Sequence, residues 1–393
     1  MMERVGSRIE AIDALRGLAL LGILIVNLDT DFRVTFWEQF SPHYATTADS
    51  FARMAIGFLV EFKAITIFSM LFGVGLAIQT ETLARRGSVP RLLVRRLLVL
   101  LAFGLVHLLL IWNGDILTEY AIAGLIALPF ILAPPRLTLA ASAAALLLFL
   151  ALPSLPLSLP FPGPEWMAQH ILEARQAYGH GSFAEVLRFR VAETPRIAVY
   201  LLFIFPRTVG LILFGAWTWK SGLIRNTEAR ARLLWSAGWT GLLLGLLLCW
   251  LDGVGPPAPL VLAPDIARVV DAFAPIVLAI GYCALALRYF GQAPTRLVAW
   301  VAPVGRMAFT NYIVQSIILG LLFYGYGFGL LGRVGVLAGV GISVAVFAAQ
   351  AAASRWWLRR HFFGPLEWLW RTGMYGARQP WSRRERELAV TTT

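Results

Sequence analysis

Apolar runs of about 20 residues recur along almost the whole of this 393-residue chain. One α-helix needs about 20 apolar residues to cross the hydrocarbon core of a bilayer. Within that core each backbone polar group must be paired inside its own segment, which favours helices over any open sheet. The sequence therefore predicts an all-α fold, a polytopic transmembrane helical bundle.

The composition agrees, since only 14% of the residues are charged whereas soluble domains carry about a quarter. We expect one transmembrane domain over residues 1–371, then a basic cytoplasmic tail over residues 372–393. No small-residue cleavage pattern follows the first run, so we interpret that run as a retained span. The apolar runs predict about ten spans, at 12–29, 52–79, 92–112, 115–134, 138–158, 197–219, 232–251, 264–287, 297–322 and 334–356.

The net charge of +12 reflects topology in our interpretation, and we expect no nucleic-acid partner. Most Lys and Arg fall into the segments that ten spans place on the side of both termini. The positive-inside rule then predicts that both termini are cytoplasmic. Two outer loops, 30–50 and 159–196, either form a cap over an outward-facing cavity or are solvated connections.

A histidine interrupts the apolar stretch "GLVHLLLIWNGDILTEY", and a carboxylate follows it eight residues later. Gly114 permits a tight turn, so Asp115 is expected to cap the fourth span and to lie close to His107. A neighbouring carboxylate fixes the tautomer of an imidazole, as a general base requires. The alternative is a structural contact of His107 with a neighbouring helix.

Other polar residues within the predicted spans must face protein or water. Candidate substrate-binding residues are Glu61, Lys63, Tyr120, Arg306, Asn311 and Gln315. The structural alternative is that they pair helices with one another. Arg306 would need a carboxylate partner, either Asp115, Glu61 or Glu119. The segment "LFGVGL" favours small-residue helix packing over a phosphate loop.

Neither the histidines outside the spans nor the cysteines predict a metal site. His43, His170, His180 and His361 are expected to be solvated or interfacial. The two cysteines lie in apolar runs, where a free Cys behaves as a small hydrophobic residue. We therefore expect no metal.

Five segments together resemble the YeiB-like bacterial inner-membrane proteins, and the resemblance covers nearly the whole chain. They are "IDALRGLALLGILIVN", "EFKAITIFSMLFGVGL", "GLVHLLLIWNGDILTEYAIAGL", "VGRMAFTNYIVQS" and "GPLEWLWR". That family is similar to the transmembrane acyltransferase superfamily, which includes lysosomal heparan-α-glucosaminide N-acetyltransferase. The resemblance implies a multi-pass protein of the bacterial inner membrane that uses acetyl-CoA or another acyl-CoA as co-substrate.

The "DALRG…VN" motif carries the superfamily resemblance onto particular residues. It implies that Asp13 and Arg16 take part in binding the acyl-CoA and that Asn27 is catalytic. In the lysosomal enzyme a catalytic histidine follows the asparagine in the outer loop. His43 occupies that region here and is a further candidate for substrate binding.

These observations lead to one main hypothesis, a membrane-embedded acyltransferase. Acyl-CoA would enter from the cytoplasm, and a small-molecule or glycan acceptor with a hydroxyl or amine would bind from outside. His107 would be the base, oriented by Asp115, with Asn27 or Asn311 donating to the oxyanion. The alternative is a transporter or lipid-handling protein, against which the chain shows neither paired interrupted spans nor symmetry between its halves. A scaffold without substrate is a third alternative. The other expected partners are the lipid bilayer and a second copy of the chain in a homodimer.

Overall fold

The computed structural model describes residues 2–40, 46–84, 89–152, 162–225, 227–251, 264–292 and 295–382. Helices dominate these residues, and no β-strand occurs among them. The all-α prediction is thereby confirmed. The α-helices are α1 (Met2–Asn27), α2 (Thr47–Leu59), α3 (Lys63–Ala84), α4 (Val89–Val106), α5 (Leu117–Leu132), α6 (Pro135–Ala151), α7 (Pro164–His180), α8 (Phe183–Lys220), α9 (Ala231–Leu251), α10 (Pro264–Phe290), α11 (Arg296–Arg306), α12 (Ala308–Phe323), α13 (Val336–Leu358) and α14 (Pro365–Tyr375).

Among the described residues, seven helical segments are long and apolar enough to cross a membrane, and the bent pair α11–α12 makes an eighth. The shorter apolar helices α5 and α6 coincide with the two remaining predicted spans. The chain is therefore a multi-pass helical membrane protein. The count of ten spans, the cytoplasmic termini and the division at residue 371 stay predictions.

The α11–α12 pair is bent by 81°, although the sequence suggests no interrupted span. Pro303 lies inside α11 and removes one backbone donor there. Gly305 follows, at a position where a Cβ atom would lie 1.8 Å from the carbonyl oxygen of Asp13. The break thus brings α11 directly against the backbone of α1.

A second break separates α2 from α3 at Phe62, whose φ is 60°. The Arg207 guanidinium from α8 donates to the Phe62 carbonyl oxygen at 3.1 Å and to Thr66 Oγ1 at 2.5 Å. Beside the break, Glu61 forms an ion pair of 2.7 Å with Arg53. The buried Arg207 therefore joins α8 to the residues beside the break, in addition to the helical bond from the Thr66 amide to the Phe62 carbonyl oxygen.

Small residues also set a close helix crossing between α3 and α8. A Cβ at Gly73 would lie 1.8 Å from the Ile212 carbonyl oxygen, and one at Gly215 would lie 1.9 Å from that of Met70. The expected small-residue packing of the "LFGVGL" segment is thus present at Gly73. By contrast, a Cβ at Gly75 would meet no atom within 4 Å, because Gly75 faces a cavity.

The predicted outer loop 159–196 contains α7 and the first turns of α8. Ser182 begins α8 with a capping box, in which its side chain and Glu185 satisfy each other's backbone amides. At the other end of the chain, α14 packs on α4, where Trp370 Nε1 donates to the Arg96 carbonyl oxygen at 2.8 Å.

Candidate functional site

A buried histidine–carboxylate pair lies where α4 ends and α5 begins. His107 Nδ1 and Asp115 Oδ1 are 2.8 Å apart, and the two residues are 0% and 2% exposed. Asp115 also accepts from the backbone amides of Leu117 at 3.1 Å and Thr118 at 2.7 Å. The expected contact and the expected cap are both present.

The backbone around this pair is unusual in two ways. His107 opens a π-helical turn, His107–Ile111, which ends when Trp112 N bonds back to the His107 carbonyl oxygen. Such turns are rare in proteins, and those that occur are often found at functional sites. In the turn that follows, a Cβ at Gly114 would lie 2.2 Å from the Trp112 ring. Only glycine allows the chain to reverse here.

The other imidazole nitrogen, His107 Nε2, is buried without a hydrogen-bond partner among the described residues. The ring packs between Tyr312 and Trp112, with centroids 5.1 and 6.1 Å away. If Asp115 accepts the Nδ1 proton, Nε2 carries the free lone pair. This is the arrangement of an oriented base.

A cavity of about 170 Å³, here called the acidic cavity, lies on one side of this pair. Its charged lining residues are Asp31, Glu61 and Asp115, and no Lys or Arg of the described residues lines it. Phe36, Trp112 and others add aromatic surface to its wall. Further lining residues are Asn27, Thr30, Phe62, Ile116, Ile197 and Tyr200.

A second cavity, of about 280 Å³, lies on the other side and is here called the basic cavity. Arg16, Arg96, Arg306 and Arg371 line it, with Glu367 as the one acidic residue that the described part of the chain adds to its wall. Apolar and aromatic residues complete the wall: Phe68, Phe72, Gly75, Leu100, Leu117, Phe309, Tyr312 and Trp370 among them. The two cavities therefore have opposite charge.

Each arginine of the basic cavity has a carboxylate or an aromatic ring beside it. Asp13 pairs with Arg16 at 2.8 Å and interacts electrostatically with Arg306. The Arg96 guanidinium lies 3.7 Å from the centre of the Trp370 ring, and that of Arg371 lies 4.3 Å from the Phe363 ring. Stacking of this kind leaves the edge of a guanidinium able to bind an anion.

Glu367 has a structural role at the wall of the basic cavity, because it binds the first turn of α12. Its carboxylate accepts from the backbone amides of Phe309 and Thr310, at 2.8 and 3.1 Å, and from the Thr310 hydroxyl. It thereby caps α12 at the bend, where the positive end of the helix dipole favours an anion. Burial raises the pKa of Glu367, and these bonds oppose that rise.

Ile116 lines both cavities and forms the wall between them. Its backbone amide donates to the Tyr312 hydroxyl at 3.3 Å, and Tyr312 lines the basic cavity. Asp115, the preceding residue, lines the acidic cavity. Of the pair, Asp115 therefore borders the shared wall from the acidic cavity, whereas His107 lines neither cavity.

A buried polar network holds the turn that carries Asp115. Trp112 Nε1 donates to Asp31 Oδ2 at 2.7 Å, and Asn113 Nδ2 donates to Glu193 Oε2 at 2.9 Å. Asp31 belongs to a second π-helical turn, Leu28–Phe32. Both π-helical turns named here therefore contribute to the candidate site.

Glu193 is itself bound by α7. His170 Nε2 lies 2.8 Å from Glu193 Oε1, and the Tyr178 hydroxyl donates to Oε2 at 2.9 Å. Burial raises the pKa of Tyr178 well above its usual value, so the phenol remains a donor. His170 is 7% exposed and stacks between Trp166 and Phe189. His170 is therefore buried against a carboxylate, which excludes the solvated alternative of the expectation and leaves the interfacial one as a prediction.

Several other sequence candidates reach the cavities. Asn27 and Glu61 line the acidic cavity, and Tyr120 lines the basic cavity with its hydroxyl 2.7 Å from Ser69 Oγ. Arg306 is exposed at the α11–α12 bend. It therefore lies by Asp13 instead of forming the expected pair with a mid-membrane carboxylate.

Other candidates join helices. Asn311 Nδ2 donates to the Val304 carbonyl oxygen and to Ser354 Oγ, and Gln315 Nε2 donates to Gln350 Oε1 at 2.8 Å. Lys63 is buried and donates to the Gly57 carbonyl oxygen. These residues fit the structural alternative, and His43 lies outside the described residues.

The sequence reasoning missed Arg96, Tyr312 and Glu193 as residues of the site. Arg96 was counted only as one of the basic residues that set the topology, although it lies within the predicted third span. The segment "GPLEWLWR", which carries part of the resemblance, contains Glu367, Trp370 and Arg371 and could have indicated the basic cavity. No group of three His, Cys, Asp or Glu able to hold a metal ion occurs in the part of the chain that the structure describes.

These features define a multi-pass helical membrane protein with a buried histidine–carboxylate pair between two cavities of opposite charge. Residues 218–377 match the family described as "Protein of unknown function (DUF418)". The chain is 34% identical over 400 residues to the uncharacterized protein YxaH of Bacillus subtilis (strain 168), covering 96% of each chain. It is 31% identical over 379 residues to the uncharacterized protein YeiB of Escherichia coli (strain K12), covering 92% of this chain and 94% of that protein. The chain therefore belongs to the YeiB-like family.

Proposed function

We propose that this protein is a membrane-embedded acyltransferase that moves an acyl group from cytosolic acyl-CoA to a hydroxyl or amine on the other side of the membrane. One observation carries the proposal. The His107–Asp115 pair, with Nε2 unbonded within the described residues, lies between a basic cavity and an acidic cavity that share the wall residue Ile116.

In the proposed reaction, His107 Nε2 removes the proton from the acceptor O–H or N–H as the acceptor attacks the thioester carbonyl carbon. The new C–O or C–N bond forms and the C–S bond breaks. The imidazolium then returns the proton to the departing thiolate, so protons and electrons balance. The negative charge of Asp115 stabilises the imidazolium in between.

The oxyanion needs a hydrogen-bond donor within reach of the thioester carbonyl oxygen. Asn27 lines the acidic cavity, and no bond of its side-chain amide to another described residue is found. The amide of Asn311 is already used by Val304 and Ser354. Of the two asparagines considered from sequence, the proposal therefore assigns this role to Asn27.

The basic cavity fits the donor because acyl-CoA carries several phosphate charges. Guanidinium groups bind phosphate oxygens with paired hydrogen bonds, and four of them line this cavity. Its apolar remainder suits a flexible acyl-bearing arm that reaches toward Ile116. The acidic cavity would exclude an anionic donor from the acceptor side.

The first test is purified protein in nanodiscs with radiolabelled acetyl-CoA and a panel of amino sugars and glycans. Label is expected in at least one acceptor, and His107→Asn is expected to lower turnover by about 10²–10⁴-fold, the usual contribution of a general base. His180→Asn makes the same chemical change at an exposed position of α7 and should leave turnover intact. Full activity in His107→Asn, or no transfer and no CoA binding by the wild type, would overturn the proposal.

The second test concerns the donor cavity alone. A leucine at Gly75 should occupy the basic cavity, because a Cβ added to this glycine would have no atom within 4 Å. We expect Gly75→Leu to weaken CoA binding by calorimetry at least tenfold, and Arg96→Gln to weaken it by a similar factor, about 1.4 kcal/mol each. Gly341→Leu is the matched control, since Gly341 also has open space around it but lies exposed on α13. Unchanged CoA affinity in both cavity variants would show that the donor binds elsewhere.

A transporter is the second candidate, and the α11–α12 bend favours it. Broken spans next to buried charges are common at the substrate sites of transporters. Proteoliposomes separate the two functions. Proton-driven flux of a solute without acyl transfer would favour the transporter, and transfer without flux would favour the enzyme.

A further inference from the structure

Glu193 contacts the turn that carries Asp115, although it lies about eighty positions further along the chain. It lies on α8, and its side chain is 1% exposed. Its carboxylate binds three side chains: Asn113 from the turn, and His170 and Tyr178 from α7. No step of the proposed reaction uses any of them.

Side-chain hydrogen bonds hold three of the four residues in the turn from Trp112 to Asp115. Trp112 is held by Asp31 and Asn113 by Glu193, while Gly114 allows no side chain and Asp115 caps α5. Two carboxylates outside the turn therefore fix it, one from the side of α1 and one from α8.

Charge balance explains how two buried carboxylates can lie this close together. Arg190 precedes Glu193 by one helical turn, is 0% exposed, and interacts electrostatically with Asp31, as Glu193 also does. Its guanidinium lies 5.9 Å from the centre of the Tyr324 ring. A buried charge is stable only when it is compensated. The attraction between Arg190 and Asp31 opposes the repulsion between Asp31 and Glu193, although no Arg190 nitrogen forms a hydrogen bond to either carboxylate in the described part of the chain.

We infer that Glu193 is a positioning residue for the His107–Asp115 pair, acting through Asn113. The inference rests on the proposed function for its kinetic consequence. Its structural consequence, a fixed Asp115 and hence one imidazole tautomer at His107, does not depend on any activity. Helix α7 thereby influences the buried pair through His170 and Tyr178.

The kinetic test uses Glu193→Ala and Glu193→Gln. Loss of the acceptor for Asn113 is expected to lower kcat by about 10²-fold, the effect of misplacing a reacting group by about 1 Å, while KM for acetyl-CoA stays unchanged. The Gln side chain keeps a carbonyl oxygen for Asn113 and Tyr178 and should restore kcat to within about tenfold of the wild type. Equal loss in both variants would refute positioning through the hydrogen bond.

The structural test is solid-state NMR of the full chain in lipid, labelled with ¹⁵N-histidine. The chain has five histidines, and His107→Asn identifies the signal of His107. We expect one signal pair, protonated Nδ1 and bare Nε2, in the wild type and in Glu193→Gln. Glu193→Ala should show a second His107 population. An unchanged His107 spectrum in Glu193→Ala would overturn the inference whether or not transfer is detected.

Glu193→Ala removes one charge from this buried cluster and can therefore disturb folding, so a second variant that keeps the charge is needed. Asn113→Ala removes the link while keeping the Arg190, Asp31 and Glu193 charges, and it should reproduce both effects. Gln350→Ala is the matched control, because it removes a buried amide with two hydrogen bonds on α13, remote from the turn. If transfer is absent from the wild type but the His107 signal splits in Asn113→Ala, the proposed function fails and the positioning role stands.

Discussion

Asp115 has two structural tasks: it binds the His107 imidazole and it caps the first turn of α5. Its Oδ1 meets His107 Nδ1, and Oδ2 accepts from the Thr118 amide at 2.7 Å. One carboxylate therefore starts α5 and orients the imidazole. Any motion of the α5 N-terminus would change the direction of the His107 lone pair.

Substitutions at Asp115 can separate the two tasks. In Asp115→Asn the amide oxygen can still cap Thr118, but the amide nitrogen faces His107 Nδ1 and stabilises the tautomer with a protonated Nε2. We expect turnover to fall by about 10⁴-fold, as for the corresponding change in a catalytic triad, with little change in melting temperature. Turnover and thermal unfolding are measured on the same nanodisc preparation.

Asp115→Ala removes the cap as well. It should cost about 0.5–2 kcal/mol of stability, the usual range for loss of an N-cap, in addition to the loss of turnover. If Asp115→Asn were as unstable as Asp115→Ala, the cap would depend on the charge, and the two tasks of Asp115 would not be separable.

Sequence reasoning found the His107–Asp115 pair because the contact is local. Eight residues and a glycine turn bring the two side chains together, so spacing alone predicts the contact. The bond between Asn113 and Glu193 joins residues eighty positions apart, and the stacking of Arg96 on Trp370 joins α4 to α14. No local periodicity encodes such pairs, since they depend on how whole helices pack.

At the scale of elements, each apolar run coincides with a described helix or helix pair, including the shorter α5 and α6, whereas α7 and α14 lie outside the runs. The 81° bend between α11 and α12 was not predictable in the same way. A proline inside an apolar run permits a kink, but the size of the bend depends on Gly305 meeting the α1 backbone and on Glu367 capping α12. Both are tertiary contacts.

The bend leads to a prediction about α1 and α11. A Cβ at Gly305 would also lie 2.8 Å from the Gly17 backbone nitrogen, so Gly305→Ala must push the two helices apart. We expect a loss of about 1–3 kcal/mol in stability, as for overpacking in general, and weaker CoA binding because Arg16 and Arg306 flank this crossing. Denaturant unfolding and calorimetry test the two effects.

Gly341→Ala is the control for this prediction, since it adds the same methyl group to α13 where nothing lies within 4 Å. Normal stability and normal CoA affinity in Gly305→Ala would mean that the α1–α11 crossing can open without disturbing the basic cavity.

At the scale of the whole molecule, charge is divided between the two ends of the bundle. The arginines of the basic cavity lie on the side where α1 begins, and the carboxylates of the acidic cavity lie where α1 ends. The positive-inside rule orients loops by their Lys and Arg content. In the predicted topology, the asymmetry that orients the chain also puts the basic cavity on the side of the cytosol, where acyl-CoA is found in the proposed reaction.

This orientation can be tested directly by cysteine labelling. In a Cys249→Ala, Cys283→Ala background, Gln176→Cys places one thiol on the exposed face of α7, and Ala377→Cys places one at an exposed position just after α14. A membrane-impermeant maleimide applied to intact spheroplasts should label Gln176→Cys alone, and lysis should expose Ala377→Cys. The physical reason is that about two dozen basic side chains would otherwise have to cross the bilayer against the positive-inside bias. The reverse pattern would put the basic cavity outside the cell, where it could not receive cytosolic acyl-CoA, and would remove the basis for the proposed direction of transfer.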